Sequence, residues 1–141
     1  MGEKKKLSFK CHKISGGFGA GEVIISKDSI CFSQANPNTG VVIEKNHDLK
    51  GQSVANKIVV FPSGKGSSIV QGMGLFLLRK NGVAPKALII QTPDTVLVAS
   101  AVVHRIPLVD KVEDEFYQYI KNGAYVEVDS DNGLIKLSKE D

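Results

Sequence analysis

This sequence has few cysteines, no long apolar run and no large excess of charge of one sign. A helix that crosses a membrane needs about 18 consecutive apolar residues, and no run approaches that length, so a membrane-spanning protein is excluded. The lysines near the N-terminus are not followed by an apolar stretch of useful length, which argues against a signal peptide. We therefore expect a soluble, cytoplasmic protein without a membrane partner.

The two cysteines and three histidines do not form a metal-binding pattern. Cys11 and Cys31 lie too far apart for a CxxC pair and are too few for a four-cysteine site. Both stand among apolar, strand-like residues, which predicts buried and reduced thiols, as in cytoplasmic proteins. His12, His47 and His104 share no metal-ligand spacing with one another or with the cysteines, which favours structural or surface roles. No metal site is predicted in this chain.

The charges of the chain are nearly balanced. The 18 lysines and arginines face 15 aspartates and glutamates, which gives a net charge of +3. Much of the excess is the run Lys4–Lys6, and the remainder is balanced, which argues against a nucleic-acid partner. The run itself is typical of a solvated terminus, and residues 1–6 are predicted to be disordered.

The length and apolar content favour one globular domain over residues 1–141. Hydrophobic residues make up 42% and charged residues 23% of the chain, close to the average soluble protein. A chain of this length buries about 68% of its unfolded surface, which is enough for a core of its own. No internal repeat or long linker divides the sequence.

Apolar runs alternate with helical patterns in the second half of the chain. The predicted elements are strand Ile58–Phe61, a helix from Ile69 to Asn81, strand Ala87–Ile90, a helix from Pro93 to His104, strand Ile106–Val109 and a helix from Val112 to Lys121. The first helix is indicated by apolar spacings of three and four at Ile69, Met73, Phe76 and Leu77. This alternation is typical of a parallel α/β layer with right-handed crossovers.

The front half and the C-terminus contain short extended patterns. The predicted strands are Leu7–Ser15, Glu22–Ile25, Ile30–Phe32 and Val41–Ile43, followed near the C-terminus by a hairpin of Ala124–Val128 with Leu134–Leu137. A glycine-containing turn joins the two hairpin strands. These strands predict a second β layer or a barrel edge, so the expected fold is a single α/β domain with β/β/α layering.

The segment Gly16–Gly21 contains four glycines and interrupts the strand pattern. It does not match the dinucleotide motif GxGxxG, because Glu22 stands at the last position and no helical pattern follows. A wide turn or bulge between strands is one interpretation. A flexible loop that closes over a ligand or packs against a partner is the other, and the sequence leaves both open.

The segment Pro62–Ser68 carries the sharpest chemical signal of the chain. It connects a predicted buried strand with a helix, so its backbone N–H groups and the helix N-terminus can bind a phosphate or carboxylate. Lys65 adds a full positive charge, and three serines add hydroxyl donors. The order differs from a P-loop because Gly66 follows the lysine. The alternative is structural, with Ser67 or Ser68 as the helix N-cap, and both roles can hold at once.

A set of short motifs, in their order and spacing, resembles the swivel domain of aconitase X. The motifs are Gly19-Ala20-Gly21-Glu22, Asn36-Pro37-Asn38-Thr39-Gly40, His47, Leu49, Gly51-Gln52-Ser53-Val54, Pro62-Ser63-Gly64-Lys65-Gly66-Ser67-Ser68, Leu77-Leu78-Arg79-Lys80-Asn81-Gly82, Pro85, Ala87 and Ile106-Pro107-Leu108-Val109-Asp110. The resemblance therefore extends over most of the chain.

The resemblance implies a swivelling β/β/α domain that closes over the active site of a larger, aconitase-like subunit. That subunit would carry a cysteine-ligated iron–sulfur cluster of the 4Fe–4S type, with none bound by this chain. The heterodimer would be a hydro-lyase that dehydrates (R)-5-phosphomevalonate to trans-anhydromevalonate 5-phosphate in an archaeal route to isoprenoids. The alternative is a non-catalytic domain that recognises an anionic metabolite or a partner protein.

The same resemblance implies roles for the residues of the loop. In the family a serine of this loop removes the substrate proton, and the motif Pro-Ser-Gly-x-Gly-Ser matches Pro62–Ser67, which places the base at Ser63. The Gly-Ser-Ser-Arg loop of aconitases would instead place it at Ser67. The residues expected to bind the substrate are Gly64, Lys65, Gly66, Ser67 and Ser68.

Overall fold

The computed structural model describes residues 4–140, and the side chains of residues 6–138. The strands are β1 (Lys4–Lys10), β2 (His12–Ser15), β3 (Phe18–Ile25), β4 (Ile58–Phe61), β5 (Ala87–Ile90), β6 (Leu108–Asp110), β7 (Tyr125–Asp129) and β8 (Leu134–Glu140). The helices are α1 (Ser68–Lys80), α2 (Thr95–Val103) and α3 (Glu115–Tyr119), with a short 3₁₀ helix at Phe32–Gln34. Within the described ranges, no helix is long and apolar enough to span a membrane.

The eight strands form one mixed sheet in the order β1-β8-β7-β3-β4-β5-β6-β2. Strands β3 to β6 are parallel, whereas the pairs at both ends are antiparallel, including the predicted hairpin of β7 and β8. Only Cys11 separates β1 from β2 in the chain, so the two ends of the sheet meet there and the sheet curls. The predicted α/β fold is confirmed, with the second β layer as a continuation of the parallel one.

Alternating side chains of the central strands point into two separate cores. In β4, Ile58 and Val60 join a cluster inside the curl, whereas Val59 and Phe61 join a cluster under α1 and α2. All four are buried, as expected for a parallel strand covered on both faces. Each such side chain contributes about 1.5–3 kcal/mol by leaving water. The result is the β/β/α layering that the sequence predicts.

Helix α1 forms where its sequence predicts it, but its apolar spacing does not mark the buried face. The residues that face the core are Gln71, Gly74, Leu75 and Leu78. Three of the apolar residues that indicated the helix, Ile69, Met73 and Phe76, are exposed. The helix therefore has an apolar stripe on each side, and the described residues cover only one of them.

The basic run near the N-terminus is a strand rather than a disordered segment. Lys4–Lys6 extend β1 and pair with β8, with Lys6 opposite Ser138. The ammonium of Lys6 also lies 3.0 Å from a carboxylate oxygen of Glu127 on β7. The predicted disorder is wrong for these three lysines, because the pairing satisfies their backbone. Residues 1–3 lie outside the described residues.

Two glycines of the segment Gly16–Gly21 lie inside β3 rather than in a loop. A Cβ on Gly19 would overlap the carbonyl group of Lys86, and one on Gly21 would lie 2.8 Å from the carbonyl oxygen of Asn56. Both glycines are therefore needed for close backbone approach. The flexible-loop alternative is wrong for residues 18–21, since they pair with β7.

The stretch between β3 and β4 contains less regular structure than its apolar residues predict. The predicted strands Ile30–Phe32 and Val41–Ile43 are present only as isolated bridges, the first to Gly64 and the second to Ala35 and Ser53. Phe32 instead begins the 3₁₀ helix and is fully buried. This stretch packs against α1 through its 3₁₀ helix and does not add a strand to the sheet.

We expect Gly74→Ala and Gly72→Ala to change stability in opposite directions. A Cβ on Gly74 would overlap the backbone of Phe32 and Ser33, and such overpacking destabilises by about 1–3 kcal/mol or more. On Gly72 the nearest atom would be the Ser100 hydroxyl at 3.7 Å, so alanine there adds helix propensity of about 0.5–1 kcal/mol. Urea unfolding of both variants measures the difference. Equal stabilities would contradict this packing.

Candidate active site

The Pro62–Ser68 loop lies at the carboxyl edge of the parallel strands, next to the segment that follows β5. The amide of Thr92 donates to the carbonyl of Pro62 at 2.8 Å. Asp94 uses one carboxylate oxygen to accept from the amide of Gly64 at 3.1 Å and the other to cap α2 through Leu97. This edge of an open α/β sheet is where ligands bind in such folds.

Ile30 forms the other wall of the loop through backbone pairing. Its amide donates to the carbonyl of Ser63 at 3.0 Å, and its carbonyl accepts from the amide of Lys65 at 3.2 Å. A Cβ on Gly64 would lie 2.6 Å from Asp94, and one on Gly66, whose φ is +99°, would lie 2.8 Å from the sulfur of Cys31. Glycine is thus required at both positions, and the loop is held rigidly between two segments.

Gln71 supports the loop from inside α1, and sequence reasoning missed it. Its side chain is fully buried. The amide nitrogen donates to the carbonyls of Ile30 at 3.1 Å and Lys65 at 3.3 Å, while the amide oxygen accepts from the amide of Phe32 at 2.7 Å. The sequence feature that could have indicated this role is a polar residue one turn into an otherwise apolar helix. Its three partners, however, come from segments that the sequence does not place together.

The three serines of the loop have different environments. Ser67 is the N-cap of α1, and its hydroxyl accepts from the amide of Val70 at 3.3 Å, which confirms the structural role allowed by the sequence. Ser68 is the first residue of the helix and is exposed. Ser63 is half-buried, and within the part of the chain that the structure describes no hydrogen bond engages its hydroxyl. Of the three serine hydroxyls, only that of Ser67 makes a hydrogen bond to the described residues.

The loop combines a helix N-terminus with one lysine beside a shallow pocket. The first turn of α1 contains no acidic residue, and the first amides of a helix have no intrahelical partners. The ammonium of Lys65 is paired with the carboxylate of Glu44. An open pocket of about 420 Å³ lies beside them, lined by Cys31, Gln34, Glu44, Lys65, Gly66 and Val70. Of the residues expected to bind the substrate, Lys65 and Gly66 line this pocket, whereas Gly64, Ser67 and Ser68 are not among its lining residues. The free amides at the start of a helix are suited to an anion.

The described residues do not fit an iron–sulfur cluster. Among them, no group of three or more His, Cys, Asp or Glu side chains is close enough to hold one metal ion. Burial, with the nearby carboxylates of Asp110 and Asp129, raises the pKa of Cys11 to about 11, so this half-buried thiol stays protonated at neutral pH. Cys31 is buried, with its sulfur 3.2 Å from the hydroxyl of Ser33. A cluster needs thiolate ligands.

His12 and His47 have the structural roles that the sequence favours. His12 lies 2.7 Å from the carboxylate of Asp110. His47 is buried, with one ring nitrogen 2.9 Å from the carbonyl of Ser29 and the other accepting from the amide of Leu49. The contacts of His47 fix the stretch between β3 and β4, the contact of His12 joins β2 to β6, and both lie outside the loop.

The comparisons with known proteins identify the family. Residues 8–137 match the family model of the aconitase X swivel domain. The chain is 39% identical to the phosphomevalonate dehydratase small subunit of Methanosarcina mazei, over 95% of this chain and 93% of that protein. It is 40% identical to the protein of that name from Methanocella arvoryzae, over 94% of this chain and 100% of that protein.

A solved structure has the same fold. It is the crystal structure of aconitase X from Thermococcus kodakaraensis in its holo form, which matches with a TM-score of 0.83 and 39% identity. The match covers 93% of this chain and 98% of that one. The resemblance read from the motifs is confirmed: the chain belongs to the aconitase X swivel domain family.

Proposed function

We propose that this chain is the small subunit of a heterodimeric hydro-lyase that dehydrates (R)-5-phosphomevalonate to trans-anhydromevalonate 5-phosphate. The observation that carries the proposal is the similarity, over 95% of the chain, to a protein named phosphomevalonate dehydratase small subunit. The anion-binding geometry of the loop supports it, because this substrate carries a carboxylate and a phosphate. The large subunit would be an aconitase-like chain.

The reaction removes a proton from the carbon next to the carboxylate and expels the hydroxyl group of the neighbouring carbon as water. In this proposal the amides at the start of α1 and the Lys65 ammonium bind one anionic group of the substrate. Lys65 already holds a carboxylate, that of Glu44, in the free chain. The substrate anion would replace Glu44 as its partner.

Ser63 is the proposed proton acceptor. It directly follows Pro62 at the end of β4, and its backbone is held by Ile30 and by the Asp94–Gly64 hydrogen bond. A serine oxygen accepts a carbon-bound proton only when its ionised form is stabilised, which a helix N-terminus and a nearby cation provide. Ser67 is less suited, since its hydroxyl oxygen already caps α1.

The large subunit is proposed to hold the 4Fe–4S cluster, which would act as a Lewis acid on the departing oxygen. The residues of this chain would then act on the substrate proton and the anionic groups. Both cysteines are free thiols, which fits a cytoplasmic enzyme. No nucleic acid or membrane takes part in the proposed reaction.

A titration of this chain into a fixed amount of the large subunit tests the proposal. We expect neither chain alone to dehydrate the substrate, and activity to rise until the chains are equimolar. Measurable turnover by this chain alone would contradict the division of roles. Full activity of the large subunit alone, with this chain altering only its regulation, would instead favour the non-catalytic alternative. In that alternative the loop recognises an anionic metabolite.

A further inference from the structure

Helix α1 carries a stripe of exposed apolar side chains on the side that points away from the core. Ile69 is 79%, Met73 54% and Phe76 46% exposed. Their spacings of four and three place them on one line of the helix, opposite the buried Leu75 and Leu78. Single exposed apolar residues are ordinary, but a contiguous group marks an interaction surface.

The stripe continues onto the neighbouring helix α2. Val102 and Val103 at its end are 52% and 71% exposed. Phe76 and Val103 line the same open pocket of about 490 Å³, and the Phe76 ring lies 6.1 Å from the ring of His104. The outer helix face is defined here by these five apolar residues: Ile69, Met73, Phe76, Val102 and Val103.

The described chain leaves the outer helix face uncovered. An uncovered apolar face along a helix of 13 residues is the kind of surface on which another chain binds.

The charges around the face indicate the chemistry of that chain. Neither α1 nor α2 contains an aspartate or glutamate, and the pocket beside Phe76 is lined by Arg79, Lys80 and Arg105. In a two-fold dimer the same patch meets itself, so these cations would face one another. A partner with acidic side chains around an apolar centre is complementary instead.

We propose that the outer helix face is the surface on which the large subunit docks, through an apolar centre flanked by acidic residues. The inference rests on the proposed function, in which the Pro62–Ser68 loop must reach the active site of the large subunit. Ile69 directly follows this loop in the chain. When the loop lies over that active site, the face that begins at Ile69 lies against the same subunit.

The test uses the double variant Met73→Gln/Phe76→Gln, with Tyr125→Gln as the matched control. Glutamine is polar, uncharged and compatible with a helix. Tyr125 lies on β7 and is 46% exposed, the same fraction as Phe76. All three positions are exposed, so the melting temperature of the isolated chain should change little. The readouts are the Kd for the large subunit and kcat at a saturating concentration of this chain.

We expect the double variant to raise Kd about 100-fold, with kcat at saturation unchanged, and the control to leave both values unchanged. An unchanged Kd for the double variant, beside an active wild-type complex, would overturn the docking surface and leave the proposed function intact. A wild-type chain that does not bind the large subunit would overturn both. A dimer of the isolated wild-type chain that the double variant dissociates would show that a second copy covers the face, and would overturn the proposed occupant.

Discussion

Replacing Ser63 with alanine is expected to lower kcat of the reconstituted heterodimer by about 10²–10⁴-fold, the usual effect of losing a proton-transfer group. Assembly and substrate affinity should remain nearly unchanged. The side chain is half-buried and contributes no hydrogen bond within the described residues, whereas the backbone contacts of Ser63 with Ile30 persist in alanine. Steady-state kinetics measures the loss of the base, and the melting temperature of the isolated variant shows whether the chain is still folded.

The neighbouring serines are the matched controls for this variant. Ser67→Ala removes the N-cap of α1 and should lower stability by about 1 kcal/mol while the rate stays near that of the wild type. Ser68→Ala should change neither strongly. An inactive Ser67→Ala beside a normal Ser63→Ala would move the base to Ser67. Normal rates for all three would show that the loop is structural.

Gln71→Leu is expected to destabilise the isolated chain by about 2–4 kcal/mol, because leucine fills the space but leaves buried polar groups without partners. The groups concerned are the Phe32 amide and the carbonyls of Ile30 and Lys65. The same variant should raise KM in the heterodimer, since the backbone at Lys65 loses its support. Urea unfolding gives the first value and steady-state kinetics the second.

Met73→Leu, two residues further along α1, is the control for Gln71→Leu. It also introduces leucine into this helix, but at an exposed position, and should change stability by less than about 0.5 kcal/mol. A loss for Gln71→Leu as small as that of the control would mean that the buried amide does not support the loop.

The parallel layer could be predicted because its signals are local. Ile58–Phe61 and Ala87–Ile90 are continuous apolar runs, and each is followed by a helix; the N-cap of the first, Ser67, is one of the two serines that the sequence offers. The loop between β4 and α1 follows from the same pattern, because the end of a strand and the start of a helix fix where its amides and Lys65 lie. The position of the candidate site could therefore be predicted from residues that are neighbours in the sequence.

The features that the sequence did not reveal depend on contacts between distant segments. Gln71 bonds to residues about forty positions away in the chain, and Lys65 meets Glu44 from a stretch without regular strands. The strand at Lys4–Lys6 exists because β8, at the other end of the chain, pairs with it. Similarly, the spacing of Ile69, Met73 and Phe76 indicates a helix but not which of its two apolar sides this chain buries.

Proton NMR of (R)-5-phosphomevalonate mixed with both subunits tests the central claim most directly. Dehydration breaks a carbon–hydrogen and a carbon–oxygen bond, forms a double bond and releases water. We predict a single vinyl proton signal that grows as the methylene signal next to the carboxylate disappears, with the phosphate ester retained, only when both chains are present. An unchanged substrate spectrum with an assembled, iron-containing heterodimer would contradict the account.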